Sequence, residues 1–105
     1  MMVDDDTLIK TLPTGWIVLP EDSKLNIRNE LIRELCDTHC LHGQDLRPIA
    51  RHQGRDDFLF ARADDAPDCY VVHLTWSKET SPNFPWTTAF KSYSDFTQNV
   101  QKLFE

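Results

Sequence analysis

The chain has 105 residues, enough for one domain with a real core. Its net charge of −6, from 17 acidic and 11 basic residues, opposes general nucleic-acid binding, which draws its affinity from Lys and Arg at phosphates. No apolar run approaches the roughly 18 residues of a membrane span. The start, Met1-Met2-Val3-Asp4-Asp5-Asp6, has neither the basic nor the apolar part of a signal peptide, so a cytoplasmic location is expected. Cys36, Cys40 and Cys69 form an odd set, expected as free thiols in a reducing compartment.

Residues 1–14 are expected to be an acidic, flexible arm with a modest apolar patch at Leu8, Ile9 and Leu12, leaving 15–105 as the folded domain. Trp16-Ile17-Val18-Leu19 is a short strand-like run closed by Pro20. Glu21, Asp22 and Ser23 then supply the chemistry of a helix start. Ile27, Leu31, Ile32, Leu35, Cys36 and Cys40 make an amphipathic stripe, with Arg28, Glu30, Arg33, Glu34 and Asp37 opposite, and Gly43 is a natural end. Pro48 limits Ile49-Ala50-Arg51 to a short edge strand.

Asp57 to Arg62 and Cys69 to Trp76, separated by an acidic turn with Pro67, predict a β-hairpin. In its second strand Tyr70, Val72, Leu74 and Trp76 share the apolar face, and Cys69, Val71, His73 and Thr75 the other. Ser77 to Pro85 carries two prolines and predicts a loop. Trp86 to Phe90 follows as a strand. Ser92 and Asp95 then approximate a capping box for a last helix bearing Phe96, Val100, Leu103 and Phe104. The expected fold class is α+β: an antiparallel three- to four-stranded sheet with two helices packed on one face.

Four sets of residues could carry function. Cys36, His39 and Cys40, with His42, could converge on a metal from one helix face, but the spacing matches no zinc module. Core packing for the cysteines is the favoured reading, and no metal or cofactor is expected. His73, with His52 or Asp57, could form an acid–base set, with Arg47, Arg51, Arg55 and Arg62 available for phosphate, as in a small ribonuclease or other hydrolase. The favoured alternative is a hydrogen-bonded sheet histidine, with the arginines solvated or paired with aspartates. Asp56-Asp57 and Asp64-Asp65-Asp68 lack the pattern of a metal loop and suit turns and solubility. Finally, Trp76, Phe84, Trp86 and Tyr93 surround the proline-bearing loop and could make a recognition surface, with His73, Thr75, Trp76, Phe84 and Trp86 as the candidate binding residues. Trp76 is assigned to the core in preference, while Phe84 and Trp86 are divided evenly between core and surface.

Gly15-Trp16 with Leu19-Pro20-Glu21, Glu34-Leu35, Ala50-Arg51, Asp56-Asp57-Phe58-Leu59-Phe60 and His73-Leu74-Thr75-Trp76 resemble a set of small bacterial proteins without an assigned function, over roughly residues 15 to 96. The resemblance implies a bacterial cytosolic single domain and brings no catalytic residues with it. The expected function is a non-enzymatic interaction or accessory module, inhibitor- or immunity-like, acting on a basic protein partner. The alternative is a small enzyme using His73. Neither nucleic acid nor membrane is expected as a partner, and monomer and homodimer are both compatible with the pattern.

Overall fold

A computed structural model describes residues 5–64 and 66–104, with the side chains of Asp5 and Phe104 outside the description. The expected flexibility of residues 1–4 therefore lies outside the described residues. Within the described part of that arm, Asp5–Thr11 form helix α1, and Leu8 is fully buried. Strand β1 (Trp16–Val18) and helix α2 (Glu21–Glu34) follow. Then come β2 (Leu46–His52), β3 (Asp57–Arg62), β4 (Cys69–His73) and β5 (Trp86–Phe90). Helix α3 (Tyr93–Asn99) runs into a 3₁₀ turn, Val100–Phe104.

The α+β class and the antiparallel sheet are as expected, but the sheet has five strands in sequential order, β1 to β5. The strand count rises because β1 pairs with β2, Val18 opposite Ala50. Moreover, β2 is a seven-residue interior strand and not a short edge. Pro48 is tolerated because β1 reaches only Ala50, and the register with β3 shifts between Pro48 and Ala50.

The helices do not share one face. Helix α2 covers Phe58, Phe60, Val72 and Leu74 with its own Ile27 and Leu31. On the other face Phe96 and Val100, from α3 and its 3₁₀ turn, pack with Leu59, Cys69, Val71, Phe90 and Trp16, and Leu12 beyond α1 joins them. Phe96 sits among the rings of Trp16, Phe90 and Tyr93, with centroids 5.2, 5.6 and 5.8 Å away. The physical reason lies in β3. Phe58-Leu59-Phe60-Ala61 has no polar alternation, and a strand apolar on both sides needs cover on both sides.

Three local structures follow from local sequence. Ser92 accepts from the Asp95 N–H at 3.0 Å, and Asp95 Oδ2 accepts from the Lys91 N–H at 2.9 Å, so the cap expected before α3 forms with Asp in place of Glu. Gly15 adopts φ +93°, and a Cβ there would lie 2.8 Å from His52 Nε2, so this turn into β1 requires glycine. Helix α2 stops at Glu34, nine residues before Gly43, because Leu35 turns to an extended φ of −78° and ψ of 117°.

Candidate functional site

The end of the sheet where β4 stops and β5 starts gathers most of the residues singled out above. Its frame is one row across three strands: Asp57 of β3 lies opposite His73 of β4, which lies opposite Trp86 of β5. Asp57 is buried, and its two oxygens have separate partners. Oδ1 accepts from His73 Nδ1 at 3.1 Å, and Oδ2 accepts from Arg55 Nε at 2.7 Å. A carboxylate can only accept, so the Nδ1 atom of His73 carries the proton and Nε2 is left as the basic nitrogen. The His73 side chain is 42% exposed, on a groove of about 280 Å³ lined also by Arg55, Val71, Thr88 and Leu103.

His73 and Asp57 are thus brought together as an ion-pair-capable dyad in one open groove. Asp57 is not merely a turn former, because it is buried between two cationic or potentially cationic partners. His52 does not line this groove. Its ring meets Trp16 edge-on with centroids 5.5 Å apart, and its Nδ1 accepts from the Gly54 N–H at 3.3 Å. The four arginines are dispersed as well. Arg51 lies over the Phe58 ring, and Arg47 and Arg62 line a cleft at the other end of β3, about 17 Å away for a six-residue strand. Arg55 alone joins the dyad.

Aromatic residues in and flanking the Ser77–Pro85 loop stand at the groove, and Trp86 also lines it. Trp86 is 67% exposed and stacks on Phe84, which is 40% exposed, with rings 8° from parallel and centroids 6.2 Å apart. Trp76, assigned to the core from sequence, is 47% exposed and meets Phe58 edge-on at 6.3 Å. The strand ends at His73, and Trp76 takes φ +59°, which turns its ring out of the alternation that places Leu74 in the core.

Two buried side chains hold this loop to the scaffold, and neither anchoring role was read from the sequence. Glu34, fully buried, accepts from the N–H groups of Thr75 and Trp76, each at 2.8 Å, and from the Thr75 hydroxyl at 3.1 Å. Thr75 is therefore part of the loop's anchor. Burial, followed by the nearby Glu30 carboxylate, pushes the Glu34 carboxyl up to about 7, against the pull of those N–H donors. Burial raises Glu30 too, yet the proton of Glu34 and the Arg33 guanidinium leave it below the ordinary carboxyl value. The signal for Glu34 was angular. Ile27, Leu31 and Glu34 are spaced i, i+4, i+7, the stripe that faces the sheet, while Ile32 falls outside it and is exposed.

His39 is the second anchor. Its Nδ1 accepts from the Leu41 N–H at 3.0 Å, so Nε2 carries the proton and donates to the Pro85 carbonyl at 3.0 Å. Both nitrogens are committed to backbone. Cys36 and Cys40 lie beyond the end of α2, so no helix face aligns them with His39, and among the described residues no set of ligands converges as a metal would need.

Among the described residues no helix is long and apolar enough to cross a membrane. Comparison of the chain with known protein families, with curated proteins and with solved structures finds no match, so the likeness to small bacterial proteins rests on the quoted motifs alone.

Proposed function

We propose that this chain is a non-enzymatic protein-interaction module that binds through the Phe84–Trp86 stack and the adjoining His73 groove. The observation that carries this reading is the 67% exposure of Trp86 at the start of β5, directly after a loop that Glu34 holds at Trp76 and His39 holds at Pro85. A domain this small gains most by burying its tryptophans, and an exposed one on a rigid support is the usual anatomy of a binding hot spot. The net charge of −6 favours a basic partner by steering encounter. Affinity capture with the folded chain tests it. A stoichiometric protein partner is expected with the wild type, recovered at least about tenfold less by Trp86→Ala, the loss of one hot-spot side chain. Equal recovery by both would sink the assignment of this surface.

A second reading has its own support in the Asp57–His73 pair. A buried carboxylate that fixes Nδ1–H of a histidine lining an open groove, and so leaves Nε2 as its basic nitrogen, is the arrangement of a general base. Thr88 is the hydroxyl in the groove lining. Turnover of activated esters or phosphodiesters above the buffer rate, abolished in His73→Ala, is what this reading requires, and a pure binding module shows none.

A further inference from the structure

The basic side chains of this acidic molecule are not spread evenly. A cleft of about 510 Å³ lies against the N-terminal half of α2, beside the stretch of β2 that β1 leaves uncovered. A second hollow of about 370 Å³ shares Arg47, Arg62 and Ala63 with it, so the two adjoin at those residues. Lys24, Arg28, Arg47 and Arg62 line the first cleft, four of the chain's 11 basic residues.

Three of those cations are already engaged at the rim. Lys24 pairs with Glu21 at 2.8 Å, Arg28 with Asp45 at 2.7 Å, and Arg62 with Asp64 at 2.6 Å and Asp68 at 3.4 Å. Arg47 differs. It is exposed, lies at the junction of the two hollows, and makes no ion pair with any described residue. A guanidinium presents a planar fork of donors that fits two oxygens of a carboxylate or phosphate. The walls beside it are apolar: Leu25, Pro48, Ile49 and Ala61. A cleft of this size with apolar walls and a single uncommitted cation matches the usual make-up of a small-molecule site.

The geometry points to a second binding site, distinct from the aromatic end of the sheet, which takes a small amphipathic anion: an oxyanion head held by Arg47 and an apolar body laid against Leu25, Pro48 and Ile49. The exchangeable rim pairs leave Arg28 and Arg62 in the lining of the same cleft to add a second contact to the head group. Carboxylate and phosphate heads share this chemistry, and a free amphiphile and a lipid surface could each present one.

Amide chemical-shift titration of the full chain at low salt separates these sources. The probes are octyl phosphate and octanoate below their micelle concentrations, inorganic phosphate, and vesicles of anionic phospholipid. Saturable shifts around Leu25, Ala61 and Ala63 are expected with at least one of the two amphiphiles. Arg47→Ala should weaken binding at least about tenfold, the loss of one charge-assisted hydrogen bond. Arg47→Lys, which keeps charge but not the fork, should fall between, and Lys91→Ala, an equal loss of charge elsewhere, should bind as wild type. Absence of saturable shifts with both amphiphiles, equal affinity for inorganic phosphate, binding to vesicles alone, or wild-type affinity in Arg47→Ala would each overturn the site.

Discussion

At the scale of single residues, Asp57 decides which nitrogen of His73 carries the proton. Its two oxygens are both occupied by donors, His73 Nδ1–H and Arg55 Nε–H. Asp57→Asn replaces one acceptor by a donor, and the amide cannot serve both partners. With the amide oxygen turned to Arg55, the NH₂ group faces Nδ1 and selects the Nε2–H tautomer. Nitrogen shifts of the His73 ring should therefore report Nδ1–H in the wild type and a larger Nε2–H share in Asp57→Asn. The cost in stability should be modest, about 1–2 kcal/mol, because His73 and Arg55 can turn to water. An unchanged tautomer would show that the groove, and not Asp57, orients the ring. His73 and Asp57 were both identifiable in the sequence as titratable residues at a hairpin. Asp57 and His52 stood as alternative partners for His73, and sequence could not choose between them, because the choice rests on the β3–β4 register, and a one-residue slip would place His73 on the opposite face.

At the scale of elements, the clamp between α2 and the loop after β4 makes stability depend on pH in an unusual direction. Glu34 titrates near 7 when folded, above the ordinary value of 4.5 expected when unfolded. The folded state therefore holds the extra proton between those values. Stability from this group is fully present below about pH 4.5, declines as pH rises, and is lost above about pH 7. Most carboxylates that the fold perturbs elsewhere, such as Asp64 near 2, are shifted downward and act at lower pH. Urea midpoints should thus fall between pH 5 and pH 8, with a slope much reduced in Glu34→Gln. That variant should also lose about 1–3 kcal/mol at pH 5, since its NH₂ group confronts either Thr75 N–H or Trp76 N–H. A wild-type slope in Glu34→Gln would place the dependence elsewhere. The helix itself was legible from Ile27 and Leu31, but its end was not. The periodic pattern runs on to Cys40, while Cys36, Asp37, Thr38 and His39 all favour helix weakly, and Gly43 drew the boundary too far. Glu34 was passed over because its charge suggested the wet face although its angle assigned the dry one.

For the whole molecule, covering both faces of the sheet changes what Cys69 can do. Alternation along β4 placed it with Val71 and His73 on a polar, open face, yet β3 is apolar on both sides and α3 closes over that face as far as Val71. The His73 end alone of that row remains accessible. Cys69 is fully buried, its thiol lies 3.5 Å from the Ser92 carbonyl, and burial pushes it up to about 12. Cys40 is exposed, and Cys36 is half-buried, its thiol held below the ordinary value first by the Thr38 hydroxyl. Reaction requires the thiolate and access, so two of the three thiols should react promptly with an aromatic disulfide reagent in the native protein. Cys69 is packed between the sheet, through residues of β1, β3 and β5, and α3, so exposing it requires those two layers to separate. Its modification should therefore track global unfolding, about 1,000-fold slower or more for a domain stable by roughly 5 kcal/mol. Mildly destabilising urea should accelerate Cys69 and leave the other two unchanged. Should Cys69 react as fast as Cys36 without denaturant, α3 must leave the sheet independently, and the two layers would be separate cooperative units.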